Sequence, residues 1–369
     1  MKFQALLENY GMIKQEKRMF YPRNFNLSEK FLKALREELI LQESAGVMPE
    51  KFSHKLNSSI SFNTNKEVTL ENSIANQLTN LGFNETMANS LTKEEYITFS
   101  ENLKSEFNVT MLNPLSNELK VMRQSLLFSG LESISYNINR KNSSLKLYEF
   151  GKTYHKYEKG YQEDKHLTLF VSGAKTKDSW THVSKNSDFF YLKGIVMSIL
   201  ERIGVTNLKT SPVKSDLFSE GIAFSLGKNK LVEFGVINKR VLKEFGIKQE
   251  VLFADFDWKS LNEISGKKKI KVSSLLKFPS VKRDLALLID EKVTFKEIYN
   301  LSFQVERNLL KDVGLFDVYQ GDKLPEGKKS YAVSFVLQDS NKTLKDSQID
   351  KIMQKLQQSF EKNLEAVLR

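Results

Sequence analysis

The chain has 369 residues, 40% apolar and 11% aromatic, no cysteine and a net charge of +11. That length suits two or three domains with sizeable cores, and the missing cysteines exclude a disulfide framework, a thiolate metal site and a cysteine nucleophile. The N-terminal MKFQALLENYGMIKQEK is too polar for a secretory signal, and no run nears ~18 apolar residues, so a cytoplasmic protein without a membrane span is expected.

Lys and Arg outnumber Asp and Glu by 32 to 24 over residues 51–276, but only by 8 to 7 over 1–50 and 16 to 14 over 277–369. Such an excess fits a polyanionic partner or an ordinary lysine-rich bias. In chain order, LSEKFLKALREELILQESAG predicts a helix within residues 1–50, with Ser28 as N-cap and Gly46 as stop. VTLENSIANQLTNL predicts a second helix over 68–81, with Ile74, Leu78 and Leu81 on one face, followed by a turn at Gly82 and a strand. Strands are predicted at LKLYEFGKTY, HLTLFVSG, GIAFSLG, KLVEFGVI and VLFADFDW, all rich in β-branched and aromatic residues. Helices are predicted at 120–139 and 187–203. Interspersed helices and antiparallel-type strands make residues 51–265 an α+β module and not a doubly wound parallel one. The polar stretch at 266–276, including KKKIK, is expected to be a linker.

The segment 277–369 has the clearest pattern. RDLALLI predicts a strand. A helix follows, opened by a Thr294–Glu297 capping box. VGLFDVYQG is a second strand, DKLPEG a turn, and KKSYAVSFVLQ a third strand alternating Tyr331, Val333, Phe335 and Leu337. The final helix starts near Asp346 with the stripe Ile349, Ile352, Leu356, Phe360 and Leu364, and LEAVLR closes the chain. The order βαββαβ is the ferredoxin-like split βαβ unit, a fold that carries many functions.

Catalytic constellations are missing from the sequence. His54, His155, His166 and His182 lack metal-ligand spacing, no nucleotide-binding or hydrolase motif occurs, and no carboxylate pair stands out for acid–base work. The pattern is that of a binder, with no catalytic residue and no metal ligand.

FPSVKRDLAL (278–287), LFDVYQG (315–321), GKKSYAVSF (327–335), KTL with Lys345 and Asp346, and the terminal LR occur in order across the last segment. Together they resemble the anticodon-binding domain of the bacterial phenylalanyl-tRNA synthetase beta subunit. Upstream, NPLSNELKVMRQSLLFSGLESISYNINR (113–140), LYEFGKTY (147–154) and DFFYLKG (188–194) resemble that family's class II aminoacyl-tRNA synthetase-like module. The resemblance implies a non-catalytic chain. Its YEFGKTY strand runs into His155-Lys156-Tyr157-Glu158 with no arginine for the ATP α-phosphate, so ATP and magnesium would be used elsewhere in the holoenzyme. It also implies an alpha-subunit partner in a heterotetramer, and tRNA for phenylalanine as the nucleic acid. It further implies anticodon contacts by Tyr319, Ser330 and Arg369, with Lys323, Lys328 and Lys329 placed for phosphates. Arg283 with Asp284, and Arg123, are expected to be structural. The family's longer chains carry upstream OB-type and editing domains that residues 1–50 do not resemble. A free-standing RNA-binding paralogue is the alternative.

Overall fold

The computed structural model describes residues 66–114, 116–205, 208–265, 275–321 and 324–368, together with 13–15, 18–20, 33 and 37. The chain forms two compact units, one ending its main span at Ile199 and taking in Asn207–Asn262, the other comprising Leu200–Thr206 and Glu263–Arg369. The expected linker falls on residues of which 266–274 lie outside the described set, as does most of the segment 1–50. Within 1–50, β1 (Ile13–Gln15) and β2 (Arg18–Phe20) pair antiparallel, and Lys33 and Glu37 are helical.

The first unit grows from a long hairpin. β6 (Leu145–Tyr157) and β7 (Gly160–Ser172) stay in register from Leu145↔Ser172 to Tyr157↔Gly160. Gly160 closes the turn at φ +127, a conformation that suits glycine because it has no Cβ. β3 (Asn84–Glu85) joins one edge in parallel. β11 (Val251–Asp257), β10 (Asn229–Ile237), β9 (Phe218–Leu226) and β8 (Lys209–Pro212) extend the other edge antiparallel, giving the order β3-β6-β7-β11-β10-β9-β8.

Period-two alternation sends successive side chains to opposite faces of this sheet. Leu145, Leu147, Phe170, Val251 and Phe253 pack on helix α2 (Leu127–Ile138) through Leu127, Phe128, Leu131 and Ile134. On the opposite face, Phe150 meets Trp258 edge-on at 4.8 Å and Phe234 stacks on Phe189 at 5.5 Å. Phe189 opens helix α3 (Phe189–Ile203), and Trp258 donates to Glu71 of helix α1 (Lys66–Asn80). The remaining short helices are α4 (Lys239–Glu244) and α5 (Trp258–Ile264).

Two expectations need correction. The helix over 120–139 starts only at Leu127, because β5 (Val121–Met122) pairs with β4 (Leu91–Thr92) instead. Leu81 is 41% exposed and lies beyond α1, which ends at Asn80 ahead of Gly82 at φ +85.

Two polar clusters stand on the α2-side face. Arg123 is 4% exposed, its Nη1 lies 2.7 Å from Glu149 Oε1, and its Nε donates to the Lys152 carbonyl at 3.0 Å. Gly151 makes this possible: a Cβ there would stand 2.4 Å from Arg123 Nη2. Burial holds the Glu149 carboxyl above its ordinary range despite the guanidinium beside it. One strand over, His166 Nδ1 lies 2.7 Å from Asp255 Oδ1, and its Nε2 is 3.2 Å from the Thr153 hydroxyl. Burial alone would push the imidazole down, but Asp255, helped by Asp257 and Asp164, outweighs it and raises its pKa.

In the second unit β12 (Val281–Asp290), α6 (Phe295–Val305), β13 (Leu310–Tyr319), β14 (Lys328–Leu337), α7 (Asp346–Leu364) and β15 (Val367–Leu368) follow in that order. The sheet runs β13-β14-β12-β15, all pairs antiparallel. The capping box at Thr294 and Glu297 starts α6, with Glu297 Oε2 accepting from the Thr294 N–H at 2.7 Å. Tyr331, Val333, Phe335 and Leu337 of β14 join Ile298 of α6 and Ile349, Ile352, Leu356 and Phe360 of α7 in one core. Each such side chain contributes roughly 1.5–3 kcal/mol on full burial. Glu365 adopts φ +49 after α7, reversing the chain so that Val367 and Leu368 pair with Leu288 and Leu287.

Arg123→Met leaves Glu149 as a buried carboxylate without its cation, and urea unfolding is expected to show a loss of about 3–5 kcal/mol. The double variant Arg123→Met/Glu149→Leu should recover most of that loss. For His166 the folded pKa lies above the unfolded one, so its pairing stabilises fully below about pH 6.5 and is lost as pH rises through the folded value. The stability gap between the wild type and His166→Gln is therefore expected to be wider at low pH than at high pH in paired denaturation curves. An equal gap at both would contradict it.

Candidate nucleic-acid interface

Both helices of the second unit cover the face that carries Tyr331, Val333, Phe335 and Leu337. Strand alternation therefore fixes the composition of the other face. From β14 it takes Ser330, Ala332, Ser334 and Val336; from β12 it takes Leu288, Ala286, Asp284 and Lys282, their direct cross-strand partners. From β13 it takes Tyr319 opposite Ser330, Asp317 opposite Ala332 and Gly314 opposite Ser334. One row crosses all four strands: Tyr319, Ser330, Leu288 and Val367.

Tyr319 and Ser330, singled out eleven residues apart in the sequence, are thus directly paired neighbours. Tyr319 is 37% exposed and Ser330 8%. A Cβ at Gly321 would stand 3.1 Å from the Tyr319 hydroxyl, so the glycine leaves the space beside which that ring lies. Ring, hydroxyl and the apolar Leu288 and Val367 form a strip that can take a planar base by stacking and offer its edge a hydrogen-bond partner.

The predicted phosphate contacts fare differently. Lys329 pairs with Ile289 and turns to the helix side. It is 7% exposed, donates from Nζ to the Glu291 carbonyl at 2.7 Å, and lies 4.7 Å from the Tyr331 ring. That places it away from any ligand on the open face. Lys328 is half-buried at the start of β14. Lys323 and Arg369 lie outside the described residues. Among the groups on the open face, Lys282 is accompanied by Asp284, Asp312 and Asp317. Carboxylates repel phosphates and accept from base N–H groups, so this face favours base edges over backbone.

Arg283 and Asp284 do not pair, because adjacent strand residues point to opposite faces. Arg283 Nη2 instead lies 3.6 Å from Asp346 Oδ1 at the start of α7. Sequence reasoning missed Leu288, Val367 and Lys282, which simple alternation along RDLALLI and the register of the last strand would have found. It also missed Phe316, which no alternation could find. Among the described residues no group of three or more His, Asp or Glu could hold a metal, and no helix is long and apolar enough to cross a membrane.

The family model for the phenylalanyl tRNA synthetase beta chain CLM domain matches residues 56–258, and that for the ferredoxin-fold anticodon binding domain matches 277–369. The phenylalanine–tRNA ligase beta subunit of Bacteroides thetaiotaomicron is 46% identical over 316 residues, covering 82% of this chain and 38% of the relative. That of Porphyromonas gingivalis is 40% identical over 320 residues, covering 83% of this chain and 39% of the relative. A solved pyrrolysyl-tRNA synthetase from Desulfitobacterium hafniense, 15% identical, overlays 71% of this chain and 88% of that one at a TM-score of 0.43. The chain spans 38% of the length of the first of these curated relatives. With its larger module matched over 56–258 and its sheet-faced terminal unit over 277–369, the chain belongs to the phenylalanyl-tRNA synthetase beta chain family.

Proposed function

We propose that this chain is the C-terminal part of a phenylalanine–tRNA ligase beta subunit and that its open sheet face holds the anticodon loop of tRNA for phenylalanine. The observation that carries the reading is the pairing of Tyr319 with Ser330 on the face left bare by both helices. Tyr319 stacks on an anticodon base, Ser330 bonds its edge, and Arg369 at the chain end contacts the same nucleotide. In this reading Lys323 and Lys328 contact the RNA backbone.

The first unit docks to the alpha subunit in a heterotetramer located in the cytoplasm, and supplies no catalytic residue. ATP and magnesium are used by the holoenzyme and not by this chain. Three features support that assignment. The β6–β7 hairpin carries no arginine. The buried Arg123 is committed to Glu149. The same sheet face adds Asp255 and Glu233, whose charge opposes a triphosphate. The residues present therefore do not fit ATP.

In the assembled ligase, Tyr319→Ala is expected to weaken tRNA binding by about 1–3 kcal/mol, the usual contribution of one base–aromatic stack, and to lower charging to the same extent at limiting tRNA. Filter binding and phenylalanine charging on the purified complex measure both. Unchanged affinity would sink the anticodon assignment. RNA binding by the chain, without any complex with an alpha subunit on size exclusion, would replace it with a free-standing RNA-binding paralogue.

A further inference from the structure

Phe316 departs from the alternation of its strand. The register of β13 on β14 passes from Leu315↔Val333 to Asp317↔Ala332, so three residues of β13 face two of β14 and the strand bulges at Phe316. Leu315 stays with the core, and Asp317 belongs to the open face. The ring of Phe316 is 57% exposed, and the ammonium of Lys282, itself on the open face, stands 5.5 Å from its centroid. A regular strand would have placed a residue three positions from Tyr319 on the helix side, whereas the bulge puts both rings on one surface.

The ground beside the rings is low. Ser330 and Ala332 of β14 and Ala286 of β12 supply only small side chains there, so a flat ring system can lie from β13 toward β14, with Asp317 standing between the two rings on β13 itself. Tyr319 lies three residue steps along the strand from Phe316, about 10 Å at ~3.3 Å per residue. That is too far for one base to stack on both rings.

We propose that Phe316, with Lys282 beside it, is a second stacking platform that takes a further unpaired base of the same RNA strand. The inference rests on the reading of this face as the anticodon site. Stacking needs only an exposed π-face and tolerates any base, which suits a phenylalanine with no polar atom to select one. The Lys282 ammonium, held beside the ring, reaches the phosphate next to that base, while Asp284, Asp312 and Asp317 keep the rest of the backbone off the face. A bulge on an edge strand re-aims one side chain while the inward residue just before it, here Leu315, still packs on the core.

The test uses the complete ligase and transcripts of its tRNA carrying 2-aminopurine at one anticodon-loop position at a time. The wild type is expected to quench fluorescence at two separate positions. Phe316→Leu should restore it at one of them and weaken binding roughly 5- to 150-fold. Tyr319→Ala should restore it at the other, and Phe316→Tyr should behave as the wild type. Lys282→Gln should lower the salt dependence of binding by about one phosphate contact. Should Phe316→Leu leave quenching and affinity intact while Tyr319→Ala impairs both, the second platform is refuted and the anticodon reading stands. If neither substitution changes binding, the reading of the face itself fails. A Phe316→Leu variant that binds tRNA normally but no longer associates with the alpha subunit would make the ring a protein contact and overturn the proposal.

Discussion

The second unit depends on a constraint of handedness and alternation. Each βαβ connection in a split βαβ fold crosses to the same side of the sheet, because right-handed crossovers permit only that arrangement. Both helices then lie on one face, where Tyr331, Val333, Phe335 and Leu337 of the central strand β14 meet them. Among the described residues neither helix covers the other face. Its residues are small or polar along β14, and the aromatic residues on it stand on the edge strand β13. That division turns the sheet into a platform: one face folds the unit, the other is spare.

The first unit resolves the same two-faced geometry differently. Its seven-stranded sheet is packed on both sides, by α2 on one face and by α1 and α3 on the other. Several polar residues on the α2 side pair with one another. Arg123 is spent on Glu149, and His166 on Asp255 and Thr153. Buried pairs of this kind add little net stability, but they make one arrangement much better than its alternatives, since separating them strands a charge.

How far the site was legible depended on the kind of regularity each residue obeys. Tyr319 and Ser330 stand at strand ends bounded by a Gly/Pro turn, and a hairpin brings such positions together, so their pairing followed from the turn. The side of Lys329 also follows from alternation, since it neighbours Ser330 and must face the opposite way; its assignment to phosphate overlooked this. Arg283 and Asp284 were coupled by adjacency in the chain, although adjacency in a strand separates side chains. Phe316 escaped because a bulge shifts the period by one, and nothing in LFDVY marks where the extra residue sits.

The sequence by itself determined the element order of the second unit, the α+β class, the capping box of α6, the inward residues of β14 and α7, and the absence of an arginine from the β6–β7 hairpin. Each depends on local spacing, on turn chemistry or simply on which residue is present. Tertiary structure alone decided that α2 begins at Leu127, because β5 had a partner in β4. It also decided that Arg123 closes on Glu149 over Gly151, and that Tyr319, Ser330, Leu288 and Val367 form one row. These outcomes depend on register between strands distant in the chain. Register is set by the sum of many side-chain contacts, which no single segment records.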